Sequence, residues 1–303
     1  MANFYGSYIG FGAGGAGVGL VGGWQGDRGL NSGGHNQAGG GMNTNQYITV
    51  SVLSDSIDFG NLTRSTHSPG TCSSGTRSVC GGGNAGAAID YVTIATTGDA
   101  QAFGNLVTGR YLLSATSSVT RGIWIGSWVY AGNTMIDYVT LATTGDAADF
   151  GDYGNGGFGI GSCSNGERFV GAGGYAENTK MYYGDIATTG QTAQAFGDIS
   201  TSWGWGCEMW SNTIRGVMNY GTKLHYITIA TLGDSQNFGT HYSNTSEAGG
   251  LSNGTRGVCI GGNYNSTNNI LYHDMSTLGD TAVFGSLVEN TSDNTSACSG
   301  RPT

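Results

Sequence analysis

The amino-acid sequence predicts an all-β protein built from one repeated unit that closes on itself. Three observations carry the prediction. Tyr91–Gly104 reads YVTIATTGDAQAFG, and the wording returns at Tyr138–Gly151 and Tyr226–Gly239, with looser copies at Tyr47–Gly60, Tyr183–Gly197 and Tyr272–Gly285. The closing aromatics Phe59, Phe103, Phe150, Phe196, Phe238 and Phe284 are 44, 47, 46, 42 and 46 residues apart. Upstream of each copy an Arg precedes a Gly pair by five and six residues, as in Arg28 to Gly33-Gly34, Arg77 to Gly82-Gly83, Arg168 to Gly173-Gly174 and Arg256 to Gly261-Gly262. Two units depart: Arg121 leads to Gly126-Ser127 and Arg215 to Tyr220-Gly221. A repeat of this length is a supersecondary unit that cannot bury its apolar face alone and must stack on its neighbours.

The elements of one unit follow in order. Between the Arg and the Gly pair lie apolar runs such as GIWIG and GVCIG, long enough for one strand. After a loop of variable length, YVTIATT alternates and is rich in β-branched residues, a second strand signal. A Gly-Asp pair, as at Gly98-Asp99 and Gly145-Asp146, is read as a hairpin turn. AQAFG is the outgoing strand, with its Phe as the anchor on the next unit. The connector to the next Arg holds small-residue runs, GTCSS, LLSATSS and IGSCS, which suit a strand beside a crowded axis.

One unit is therefore four short antiparallel strands in about 45 residues, the blade of a β-propeller. Leucine-rich and helical repeats lack the required spacing here, and a β-solenoid has shorter coils. Six units imply six blades. Residues 1–27 form a Gly-rich segment for ring closure or attachment, 28–285 the six repeats, and 286–303 a closing strand. SACSGR around Cys298 and Arg301 repeats the small-residue strand and Arg of other units, so it fits as the innermost strand of the blade that begins at Arg28. The alternative places GVGLVGG of the N-terminal segment there and joins the C-terminal segment to Tyr8–Gly12 in a partial seventh blade.

The order Arg, apolar strand, Gly-Gly, loop, Tyr, turn, aromatic resembles the kelch repeat, with Phe where kelch has Trp. The TTGDAxxFG wording is similar to kelch-like repeats in structural proteins of marine tailed phages. The resemblance covers about residues 28–285 and carries no catalytic motif. It implies a non-enzymatic virion structural protein, an external tail- or fibre-associated propeller that serves as an interaction scaffold. Its implied partners are other virion proteins or further copies of the chain. The alternative is a carbohydrate-binding receptor-recognition module that takes a host surface glycan; a propeller glycoside hydrolase ranks last.

Composition narrows the classes. A net charge of −9 in 303 residues leaves no basic stripe to displace counterions from phosphates, so no nucleic-acid partner is expected. No run approaches the ~20 apolar residues of a membrane span, so no membrane insertion is expected. The first residues lack the basic n-region of a secretory signal, which fits synthesis in a host cytoplasm before assembly into a virion. Cys72 and Cys163 lie five residues before a repeated Arg, Cys80 and Cys259 three after one, and Cys207 and Cys298 in small-residue stretches. They read as small buried thiols, with a disulfide between neighbouring units as the alternative; no CxxC metal spacing occurs.

No catalytic residue, cofactor or metal is expected. GAGGAG at Gly12–Gly17 formally fits a dinucleotide fingerprint, but no amphipathic helix follows it. Asp55, Asp99, Asp146, Asp234 and Asp280 recur once per unit, with Gln191 in the fourth. They read as turn residues bonding nearby backbone N–H groups, since single carboxylates at separate turns do not make a calcium site. His35, His67, His225, His241 and His273 sit at unrelated repeat positions, and no two of Glu167, Glu177, Glu208, Glu247 and Glu289 stand out as a pair. The exceptions to the repeat are aromatic. WGWGCEMW supplies Trp203, Trp205 and Trp210, and the third unit supplies Trp124 and Trp128. If a ligand binds, these five are the stacking candidates for sugar rings; the competing reading buries them between blades.

Overall fold

A computed structural model describes residues 25–302 except 37–38, 85, 129–133, 155, 176–177, 203, 205, 263–267 and 290–294. Among the described residues there is no helix, and the strands form a six-bladed β-propeller. The second blade is typical, with strands Gly70–Ser73, Arg77–Gly81, Ala88–Thr93 and Gln101–Asn105 ordered from axis to rim. In the first blade Arg28–Ser32, Met42–Thr49 and Ile57–Thr66 are joined on the axis side by Ser296–Gly300, in register from Arg28 opposite Gly300 to Ser32 opposite Ser296. The C-terminal strand thus closes a ring of six. The other closure, through Tyr8–Gly12 and GVGLVGG, falls outside the described residues, as does GAGGAG.

The fifth blade departs from the pattern. Its segment Arg215–Thr228 folds back on itself, since the Ile229 amide bonds the Ile214 carbonyl at 2.8 Å. It supplies both middle strands without the diglycine loop of its neighbours, which explains why the Gly pair is missing after Arg215.

Burial is concentrated between blades. Each of six hydrophobic clusters straddles one interface, and each holds one repeated Phe. Phe103 of the second blade, for example, packs with Trp124, Val139 and Leu141 of the third. All six Phe side chains are buried, as the anchoring reading requires.

Polar latches repeat around the same ring. Arg28, Arg77, Arg121, Arg168, Arg215 and Arg256 donate to the carbonyls of Ile94, Leu141, Ile186, Ile229, Met275 and Val50 in the next blade, at 2.6–3.1 Å. Each guanidinium also lies 4.4–4.7 Å from the ring centre of the Tyr in its own blade. That Tyr meets the repeated Phe edge-on at 5.9–6.0 Å. A cation–π contact of this kind contributes on the order of 1 kcal/mol, and the Arg fork serves both contacts at once.

The Gly-Asp segment is not the tight hairpin the sequence suggests. It crosses onto the preceding blade, and the amides of Ser56, Ala100, Ala147, Ala193, Ser235 and Thr281 bond that blade's outer strand at 2.7–3.0 Å. The repeated Asp likewise reaches outside its own turn. Asp55, Asp99, Asp146, Asp234 and Asp280 accept the backbone amides of Ser286, Asn61, Asn105, Asp198 and Thr240 of the preceding blade, at 2.8–2.9 Å. Hydrogen bonds from Thr240 hold the Asp280 carboxyl below its ordinary range. In the fourth blade, where Gln191 replaces Asp, the crossing pairs as a short parallel strand, Gly151 to Gln191 and Asp152 to Thr192.

The crossing explains the Gly after each Phe. A Cβ on Gly60, Gly104, Gly151, Gly197, Gly239 or Gly285 would lie 2.1–2.5 Å from backbone of the next blade's crossing. No side chain fits there.

The innermost strands use small residues for a similar reason. Ser117, Ser164, Ser211 and Ser299 donate their hydroxyls to the carbonyls of Ser73, Ser117, Ser164 and Ser252, a serine ring about the axis. Gln25 donates its side-chain amide to the Ser211 carbonyl. All six cysteines are buried and free. Burial pushes the Cys80 thiol up to about 11 and Cys298 to about 12, so both stay protonated fillers.

Two substitutions test this architecture. Phe196→Ala should cost about 3–5 kcal/mol in chemical denaturation, the usual range for a buried Phe truncation. Gly239→Ala should cost about 1–3 kcal/mol although it adds only a methyl group, because the added carbon meets the Gly279 carbonyl. A neutral Gly239→Ala would contradict the crossing.

Candidate functional site

The ring has two faces. One, the turn face, carries the short turns after the innermost strands and the Gly-Asp crossings. The other, the loop face, carries the diglycine loops and the connectors between blades.

On the loop face the connectors build a collar around the axis. Ser68, Leu112, Gly159, Gly206 and Glu247 all hold left-handed backbone, with φ of 55°, 55°, 65°, 87° and 60°. Each amide from Leu112 onward bonds the carbonyl of the preceding collar residue, at 3.0–3.2 Å. Only glycine adopts this conformation without penalty; another L-residue costs roughly 1–2 kcal/mol. Glu247 therefore occupies a strained position that Gly fills in the two preceding connectors.

Inside the collar, Glu208 of the fifth innermost strand and Glu247 line the same axial cavity, about 60 Å³ in volume, with Thr71, Ser114, Ser162 and Ser296. Glu247 is buried and Glu208 half-buried. Burial first, and the Glu247 carboxylate second, push the Glu208 acid well above its ordinary range. The space beside the two acids takes a few waters. It is smaller than the ~150 Å³ that holds a benzene ring. The two carboxylates are 39 residues apart in sequence and sit at different repeat positions, which is why neither signals the other.

The tryptophans divide. Trp124 is fully buried between the second and third blades, its indole N–H donating to the Gly70 carbonyl at 2.9 Å. Gly70 and Gly81 of the second blade leave the room it fills. Trp210 is buried between the fifth and sixth blades, and its indole donates to His273 Nε2 at 2.8 Å. Neither presents a ring face to solvent, which removes Trp124 and Trp210 from the stacking candidates: both sit on strands whose alternate positions face a neighbouring blade. Trp203 and Trp205 lie outside the described residues. Trp128 is 48% exposed on the loop face.

Trp128 belongs to a chain of rings that the sequence reading did not assemble. His35 meets His67 at 3.9 Å between ring centres, and His67 meets Tyr111 edge-on at 6.1 Å. The Trp128 amide bonds the Tyr111 carbonyl, and its indole meets Phe158 at 4.2 Å; Phe158 stacks on Tyr175 at 4.9 Å. The arc spans the first four blades. A usable sequence signal exists, because His67, Tyr111 and Phe158 each directly precede a collar residue, and so does Trp205. The signal is visible only once the collar defines the register.

The recurring Arg and Asp residues take no part in this face; they are held in the latches described above. No family model and no curated protein matches the chain.

Two measurements probe the site. Replacing Glu247 by Gly should raise thermal stability, by about 1 kcal/mol from relief of the left-handed strain, and should bring the Glu208 acid down toward its ordinary value in a carboxyl NMR titration. The pH dependence of folding tests His273, whose burial lowers its imidazole to about 4 from 6.5. The native state holds it neutral while the unfolded chain protonates, so the contribution is complete above pH 6.5 and is lost as pH falls toward 4. Its size is about 3 kcal/mol. Denaturant melts of His273→Gln, which keeps an acceptor for Trp210, should show that part of the acid sensitivity gone.

Proposed function

We propose that the protein is a non-enzymatic interaction scaffold on the outer surface of a phage virion, seated by its turn face on another virion protein and presenting its loop face outward. The virion part of this reading rests on the resemblance of the repeats. The orientation rests on one structural observation, an aliphatic patch at a single repeat slot.

The residue before each Gly-Asp or its equivalent is Thr97, Thr144 and Thr189 in the second to fourth blades, but Leu53, Leu232 and Leu278 in the first, fifth and sixth. Those three blades are adjacent in the closed ring. The leucines are 52%, 57% and 58% exposed on the turn face, where the scaffold has no use for them. Ile214 of the fifth blade and Val52 of the first extend the patch. Exposed aliphatic side chains repeated at one slot over adjacent blades favour a protein contact. Gln25 approaches the axis from the same side, at the Ser211 end of the innermost strand.

The test is incorporation. In purified virions the wild-type chain should be found beside the other structural proteins. The triple variant Leu53→Asp, Leu232→Asp, Leu278→Asp should melt like wild type, since no buried group changes, yet be missing from the particles. A chain absent from virions, or a variant incorporated as well as wild type, would defeat the proposal.

A further inference from the structure

We infer that the ring arc on the loop face is a binding site for a neutral saccharide chain, with Trp128 and Tyr175 forming its principal subsite. This rests on the reading of the loop face as the presented one, and it names what that face takes.

The geometry is a cluster of three rings. Phe158 and Tyr175 are stacked, 16° apart, while Trp128 stands at 82° to Phe158. The two exposed rings, Trp128 and Tyr175, each meet the half-buried Phe158. Trp128 and Tyr175 are 48% and 67% exposed. Their backbones are pinned: the Trp128 amide bonds Tyr111, the Ser127 amide bonds Gly157, and the Tyr175 amide bonds Phe158, at 3.0–3.1 Å. Rings held in place before binding lose little freedom on meeting a ligand. His35, His67 and Tyr111, all half-buried, continue the arc along the first three blades.

The polar chemistry around the strip selects the class. On the axial side of the collar, Glu208 and Glu247 line the central cavity and supply acceptors. In the first four blades, where the strip runs, the Lys and Arg near this face are already engaged: Arg110 with Asp137 at 3.2 Å in a fully buried pair, Arg64 on the Gly82 and Ala88 carbonyls, and Lys180 on Asp198 at 2.8 Å. A phosphate, sulfate or sialate would therefore meet no Lys or Arg held ready for it along the first four blades. A pyranose brings the complement, an apolar C–H face for the rings and hydroxyl donors for the acceptors. A protein partner needs a broad apolar core, about 800 Å² on each side, and the exposed leucines of this molecule lie on the opposite face.

The experiment is a glycan array followed by titration calorimetry with the neutral hexose oligosaccharide that the array selects. Wild type, Trp128→Ala, Tyr175→Ala, the double variant and Trp128→Phe are compared, with the turn-face leucine variant as control. Each single Ala change should weaken binding about tenfold, the double variant should abolish it, and Trp128→Phe should recover part of the loss. Both residues are exposed, so unchanged melts confirm folding. The leucine variant should bind the oligosaccharide as wild type does, which separates a failure of virion seating from a failure of this site. The inference is overturned if no neutral glycan binds, if only sialylated or sulfated glycans bind, if the double variant retains binding, or if tetramethylammonium binds at these rings in place of sugar.

Discussion

A closed ring of blades is held by whatever lets one blade touch the next, and here that contact is backbone against backbone. The crossing of each blade runs so close to the preceding outer strand that a single Cβ would collide with it. Once the Gly after each Phe admits the crossing, the rest follows locally. The Phe sits under the crossing, the Tyr meets the Phe edge-on, and the Arg covers the Tyr while reaching the next blade's carbonyl. The Asp secures the same approach from the other side. Because the ring is closed by Ser296–Gly300 on Arg28–Ser32, no blade is terminal and every interface has a partner. A side chain at any of the six glycines would hold two blades apart, and a closed ring has no free end at which to relieve the displacement.

Repetition made this layer readable from sequence. The Phe spacing, the Arg, the post-Phe Gly and the small-residue strands each recur because each does the same job at six interfaces. Their positions in the fold agree with the reading of six four-stranded blades and of the C-terminal strand as closure. What misled was assigning local causes to long-range bonds. Gly98-Asp99 looks like a hairpin turn, yet Asp99 bonds Asn61, 38 residues back in sequence. The Gly-Asp pair is conspicuous for the neighbour it reaches.

The site was less readable, for a related reason. Glu208 and Glu247 converge only because two connectors meet at the axis, and nothing in either stretch points to the other. The tryptophan-rich segment drew attention by density, but density does not report direction. Trp210 points along a strand into the sixth blade, whereas Tyr175, a single residue after a Gly pair, is two-thirds exposed. The more informative column was the residue just before each left-handed collar position, where His67, Tyr111 and Phe158 vary in chemistry while keeping a ring.

The division between the faces has a physical origin. On the turn face the crossings are committed residue by residue, by paired amides, carbonyls and the Asp carboxylates, so their backbone has little room to vary; only an outward side chain such as Leu53 changes freely. On the loop face a connector must satisfy one backbone hydrogen bond and one left-handed residue to join the collar. Beyond that, and beyond the residues it buries between blades such as Leu106, Leu113 and Arg110, its exposed side chains are unconstrained by the ring. Function in a repeat scaffold gathers where the repeat demands least. The strained Glu247, in a slot that glycine would fill at lower cost, shows that this freedom has been used against stability, and departures of that kind concentrate where a surface does more than hold itself together.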